Sequence, residues 1–273
     1  MSIVEDARTV DRPVQSTIGF SNVLLSEWTK LRSVRSTYWT ALVAVLASVG
    51  LGALICARTA YNIKRGDQGL DGFDPTLTSL NGFYLAQVAI GALGVLTISS
   101  EYGTGMIRAT LGAVPQRRAM LAAKGLVFAA ATLIAGELMS FISFGLGQAL
   151  LSGAHAGTSL SNPTALRATI GGGLYLTVIG LLGFGLGALI RHTAGALSAF
   201  FGVLFALSAI TDLLPTSWRN DVIKYMPANA GSQILTAQRG HDALAPWAGL
   251  GVLALYAAAA IAAATILIQL RDT

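Results

Sequence analysis

Five charged side chains gather in one stretch between two long apolar runs. "SSEYGTGMIRATLGAVPQRRAMLAAKG", residues 99–125, carries Glu101, Arg108, Arg117, Arg118 and Lys124, punctuated by Gly103, Gly105, Gly112 and Pro115. Ile107, Leu111 and Val114 fall at i, i+4 and i+7, which makes an apolar stripe on a short helix over residues 103–112. Gly112 and Pro115 stop that helix, because Gly favours a helix end and Pro cannot continue one. A short helix with an apolar stripe and cationic edges suits docking into a groove on a partner. A plain basic loop between two membrane spans would account for the charge, but not for the stripe or the stops. A second group stands apart: Glu137 lies inside an apolar run. A carboxyl there reads either as part of a translocation path or proton relay, or as a packing residue bonded to Ser140 one turn on.

Other chemistry finds no residues to carry it. The sequence contains no GxxxxGK[ST] loop to cradle nucleotide phosphates, and no HExxH, GxSxG or CxxC motif. His155, His192 and His241 stand in three different loops, which suggests no metal cluster, and Cys56 is the single cysteine. The expectation is a protein that is not itself an enzyme and holds no metal or cofactor.

Composition defines the setting for these residues. Of 273 residues, 53% are hydrophobic and 11% charged, and the mean hydropathy is +0.64. Soluble domains carry about 25% charged residues, so this chain has too little polar surface to cover a globule in water. The net charge of +5 then reflects basic residues flanking membrane spans, and no nucleic-acid partner is expected. Six runs are long enough to cross about 30 Å of hydrocarbon as helices: residues 38–57, 82–99, 125–151, 168–190, 194–214 and 248–269. The runs are continuous rather than alternating, which excludes barrel strands. Six spans put both termini on one side. With the termini inside, eleven of the eighteen Lys and Arg residues are cytoplasmic. The chain therefore reads as a multi-pass protein of the cell membrane with both termini in the cytoplasm.

Residues 1–17 are polar and read as a disordered cytoplasmic tail, and residues 18–273 as a single transmembrane domain. Over residues 18–36, Phe20, Leu24, Trp28 and Leu31 share one helical face, with Lys30 and Arg32 beside them. Such a helix lies in the membrane surface, and Tyr38 and Trp39 mark the headgroup level where the first span begins. Gly183 and Gly187 in the fourth run, with Gly145 and Gly147 in the third, provide small residues for close helix packing. On the outer side, "RGDQGLDGFDP" is a turn-rich polar loop. The segment over residues 215–246 has two stretches, "DVIKYM" and "AGSQILTAQ", that read either as short helices dipping into the interface or as an ordinary loop.

These features together resemble a membrane subunit of the type-2 ABC exporter permeases. "SEWTKLRSVRSTYW" is similar to that family's amphipathic elbow helix, and "YMPANAGSQIL" to its short outer insertion between spans 5 and 6. In the segment between spans 2 and 3, Glu101, Gly103, Thr104, Arg108, Leu111, Pro115, Arg117 and Lys124 stand where the family pattern has them. The resemblance implies an all-α membrane fold of six transmembrane helices, an N-terminal elbow and a cytoplasmic coupling helix between spans 2 and 3. It also implies a second permease subunit and separate ATPase chains that carry ATP and Mg. The implied ATPase-coupling residues are Glu101, Tyr102, Gly103, Thr104, Arg108, Leu111, Pro115, Arg117 and Arg118. The path would form at the dimer interface, often by spans 2 and 5, with "TDLLP" near an outer gate. A self-contained secondary transporter or channel is the alternative. Its signature would be inverted repeats, and none aligns between the two halves.

Overall fold

The computed structural model describes residues 19–33, 35–67, 69–103, 117–211, 213, 215–238, 240 and 242–270. The chain is helical, with no strand among the described residues. Backbone groups in hydrocarbon must be satisfied within their own segment, and long apolar runs can do that only as helices.

Helix α1 (Phe20–Ser33) is followed by α2 (Arg35–Arg65), the short α3 (Pro75–Ser79) and α4 (Phe83–Gly103). Then come α5 (Arg117–Ser152), α6 (Pro163–Ile190) and α7 (Thr193–Thr211). Two short helices, α8 (Thr216–Ile223) and α9 (Pro227–Ser232), lead through a tight turn at Gln233–Leu235 into α10 (Pro246–Leu270). Helices α2, α4, α5, α6, α7 and α10 are each long and apolar enough to cross a membrane. The chain is a multi-pass membrane protein.

The helices outrun the apolar stretches that announce them. Helix α2 continues to Arg65 and stops at Gly66, whose φ of 79° only glycine adopts freely. Helix α4 runs on to Gly103, and α5 begins at Arg117, so Glu101, Tyr102, Gly103, Arg117 and Arg118 belong to the ends of spanning helices. Residues 104–116, which hold the expected coupling helix with Thr104, Arg108, Leu111 and Pro115, lie outside the described residues, as does the tail over residues 1–17.

Helix α6 is the hub. It packs against α4, α5, α7 and α10, and most of its side chains are buried. Glycine makes this possible. A Cβ added at Gly183 would come within 2.2 Å of the Gly91 carbonyl oxygen, and one at Gly94 within 2.1 Å of the Gly180 carbonyl oxygen. The α4 and α6 backbones therefore touch, which is how helices gain packing energy where lipid supplies no hydrophobic force between them. Gly187 faces Val95 and Ile98 in the same seam, whereas Gly145 has open space around it. Around the hub, Phe83, Tyr175, Leu176, Ile179, Phe200 and Leu253 form the main core. Leu46, Leu54, Ile134, Leu138, Leu255 and Ile266 are exposed. Apolar exposure on this scale marks a surface that meets lipid.

The end of the bundle that carries α1 is the base, and the opposite end the far end. At the far end, α3 begins with Asp74 as its N-cap and Pro75 in its first turn. Within the 215–246 segment, Thr216–Ile223, Pro227–Ser232 and Gln233–Leu235 are helical and the described residues between Thr236 and Ala245 are not, and Ala230, Gly231, Ile234 and Leu235 are buried against α6 and α10.

Candidate functional site

Four charged side chains meet at the base. Lys124, about two turns into α5, donates to Glu27 Oε2 of α1 at 2.6 Å and to Glu101 Oε1 of α4 at 2.7 Å. Lys30 donates to Glu27 Oε1 at 2.6 Å and lies 3.8 Å from Glu101 Oε1. The side chains of Glu27, Glu101 and Lys124 are 4%, 7% and 7% exposed, and that of Lys30 is 39% exposed. Two carboxylates and two ammonium groups make a neutral cluster, which is the condition for burying charge at bearable cost. Burial alone would push the Glu27 carboxyl up. Hydrogen bonds and charge from Lys124 and Lys30 outweigh it and hold Glu27 below the ordinary glutamate range.

Local sequence explains how the cluster forms. On α1, Val23, Glu27 and Lys30 recur at i, i+4 and i+7 and form the line that faces the bundle; Val23 is 2% exposed. The apolar stripe of Phe20, Leu24 and Trp28 turns away from the bundle, with Phe20 and Trp28 exposed and Leu24 half-buried. That outward stripe suits contact with lipid, as an interfacial helix requires. Leu31 and Arg32 continue α1.

Further contacts tie the same end together. Tyr102 lies under the Arg191 guanidinium, 5.3 Å from ring centroid to Cζ. Arg191 caps α6 in the left-handed conformation, with φ 60°. Thr193 Oγ1 at the start of α7 donates to Ser99 Oγ at 3.0 Å. Of the expected coupling residues, Glu101 is therefore buried and paired, Tyr102 is half-buried against Arg191, and Gly103 and Arg118 are exposed. The structure brings Glu101, Lys124 and Lys30 together. It adds Glu27, which lies off the apolar stripe and was not among the expected site residues. The available signal was an acid three residues before a lysine, on a face beside the apolar stripe.

Glu137 lies on α5 where it meets α6. A Cβ added at Gly173 would come within 2.4 Å of Glu137 Cδ, so the carboxyl occupies the space that glycine leaves. Ser140 is not its partner: the Ser140 hydroxyl donates to the Thr169 carbonyl at 2.5 Å.

A second polar network closes the far end. Asp74 Oδ1 accepts from the backbone N–H groups of Thr76 and Leu77 at 2.9 and 3.0 Å. Its Oδ2 accepts from those of Ala237 and Gln238 at 2.7 and 3.1 Å. One carboxylate thus clips α3 to the segment before α10. Arg167 of α6 donates to the Thr236 carbonyl beside it, and Gln148 of α5 donates to Ser79 Oγ at 2.9 Å.

No group of His, Cys, Asp and Glu among the described residues could hold a metal ion. No protein-family model matches this chain, and no curated protein is significantly similar to it.

Proposed function

We propose that this chain is the membrane-spanning permease subunit of an ATP-driven exporter of the type-2 ABC kind. In this reading two permease subunits pair around a path, and ATP and Mg are bound by separate ATPase chains at the base. The observation that carries the reading is the buried cluster of Glu27, Glu101, Lys124 and Lys30. It joins the surface helix α1 to the last turn of α4 and the first turns of α5, the two helices that flank residues 104–116. A load applied to that segment would reach three helices as one body. The segment has the basic, apolar-striped composition of a docking element. The excess of Lys and Arg on the same side supports a cytoplasmic base, and the missing P-loop fits a division of labour between chains.

The cluster also assigns roles. Glu101 acts as a positioning residue held by Lys124, not as a group offered to a partner. Arg108, Arg117 and Arg118, with Thr104, Leu111 and Pro115, are the docking residues. A self-contained secondary transporter is the second reading, and Glu137 within a span is the observation that favours it. Purification of the tagged chain in mild detergent, followed by mass spectrometry, separates the two. Stoichiometric recovery of a P-loop ATPase supports the exporter. A chain recovered alone, which transports in vesicles without ATP, sinks it.

A further inference from the structure

Glu137 is placed twenty residues after the first residue of α5 and fifteen before its last, far from either end of a spanning helix. Two features of the seam around it are unusual. The first is tight backbone approach: a Cβ at Gly136 would lie 3.1 Å from the Gly173 Cα, and one at Gly173 would lie 2.5 Å from Glu137 Oε1. The second is an unmet polar atom, because Glu137 Oε2 is buried and has no hydrogen-bond partner. The seam therefore accepts the carboxyl without offering Oε2 a donor.

Neighbouring groups are committed elsewhere. Among the described residues, cations on α5 and on helices packed against it lie elsewhere: Lys124 lies between Glu27 and Glu101, Arg167 binds the Thr236 carbonyl, Arg58 and Arg65 lie over the Tyr61 ring, Lys64 Nζ is 3.5 Å from a Cβ built at Gly153 beyond the end of α5, and Arg118 is in the first turn of α5. The hydroxyls along the seam are used too. Thr177 Oγ1 donates to the Gly173 carbonyl at 2.8 Å, and the Tyr175 hydroxyl donates to Gln87 Oε1. Cys56, Tyr84 and Tyr256 on the packed helices carry no positive charge in any state. A carboxylate at this depth would have neither a counter-charge nor a donor, which hydrocarbon does not tolerate.

We propose that Glu137 is a proton-binding site: the carboxyl is held as the neutral acid in the α5–α6 seam, and it gives up its proton only when the seam opens to water. The site borders lipid. Glu137 is half-buried, and Ile134, Leu138 and Phe141 on the same side of α5 are 59%, 60% and 41% exposed. This inference stands on the seam alone and does not depend on an ATPase partner.

A lipid-soluble carbodiimide tests it on the intact protein. The acid adds across one C=N bond: its proton goes to nitrogen, its oxygen bonds to the central carbon, and the adduct rearranges to a stable N-acylurea with no leaving group. The protein is reconstituted in phosphatidylcholine–phosphatidylglycerol vesicles, treated with dicyclohexylcarbodiimide over roughly pH 5 to 9, and read by intact mass and peptide mapping. The expected result is one adduct on the peptide that contains Glu137, absent in Glu137→Gln. Its yield should fall as pH rises, by about tenfold per pH unit once the acid is mostly ionised. A water-soluble carbodiimide should leave the residue unlabelled. Because the wild-type protein gives the primary readout, failure of the variant to fold would not rescue the proposal. No adduct at Glu137 at any pH overturns it. Equal labelling by the water-soluble reagent, or protection by sodium ions at constant pH, also overturns it.

Discussion

Replacing Lys124 with methionine should invert the way the base responds to pH. In the wild type, Lys124 Nζ lies 2.6 Å from one buried carboxylate and 2.7 Å from another. The two carboxylates are therefore held about 5 Å apart, and at an effective dielectric of about 20 their mutual repulsion is about 3 kcal/mol once the ammonium is gone. Lys30 remains, but its side chain is 39% exposed and lies 3.8 Å from Glu101, so it offsets only part of that. Removing one partner of a buried ion pair costs about 3–5 kcal/mol in general, which brackets the same figure. For a chain of this size the loss corresponds to a fall on the order of 10 °C in unfolding temperature at neutral pH. The sign with pH is the sharper test. Glu27 is held below its ordinary value of 4.5. Its contribution to the wild type is therefore complete above that pH and is lost as pH falls below it, through the folded-state value. In the methionine variant protonation relieves repulsion, so acid should narrow the gap between the two proteins. Adding Glu101→Gln to the variant should recover about half of the loss at neutral pH, the coupling expected for groups in one network. Thermal unfolding in detergent at fixed scan rate, from neutral pH to acid, reads all three. A methionine variant within about 1 kcal/mol of wild type at neutral pH, or one whose stability falls with acid in parallel with the wild type, would refute the reasoning.

Gly183→Val should block assembly of the α4–α6 seam, because its Cβ would meet the Gly91 carbonyl at 2.2 Å. Size-exclusion profiles should show aggregate or little protein, while Gly145→Val, with nothing within 4 Å of its Cβ, should match the wild type. Asp74→Ala should leave four backbone N–H groups without their acceptor. At about 1–3 kcal/mol for such unmet groups, hydrogen exchange should quicken at residues 76–77 and 237–238 and stay unchanged at the base. Glu101→Gln alone should weaken transport through loss of base rigidity without abolishing association with a partner, measured by co-purification. Arg108→Ala should do the reverse, lowering association while unfolding temperature stays constant.

How much was legible in the sequence depended on the range of the interaction. The six spans rest on local signals, since eighteen or more apolar residues in a row can do little else, and each run overlaps a helix long enough to span, the second starting one residue before Phe83 and the fifth running past Thr211. Their ends were misjudged where hydropathy drops before the helix does. The segments over residues 58–65 and 117–124 are basic, yet they contain no breaker, so α2 and α5 run through them. The short α3 was overlooked although Asp74–Pro75 is a cap signal; the polar residues before it read as a loop. Long-range pairs left no local trace. Glu27 lies 97 positions from Lys124, and Asp74 lies 163 positions from Ala237. Each has an ordinary local role as well, on a polar helix face or at a helix start, and that role is sufficient explanation until the fold brings the partner into view. The Phe20–Leu24–Trp28 stripe reads as a face lying in the membrane surface; Phe20 and Trp28 point away from the bundle, which leaves that face open to lipid.

The central claim is that the base of this bundle receives motion from ATP-driven machinery on another chain. A photo-crosslinking residue in place of Arg108, in the intact complex reconstituted in vesicles, tests it most directly. The account predicts a crosslink to a P-loop ATPase whose yield changes when ATP is added, and the loss of that ATP response in Lys124→Met. No crosslink to an ATPase in a preparation that still transports its cargo would contradict it.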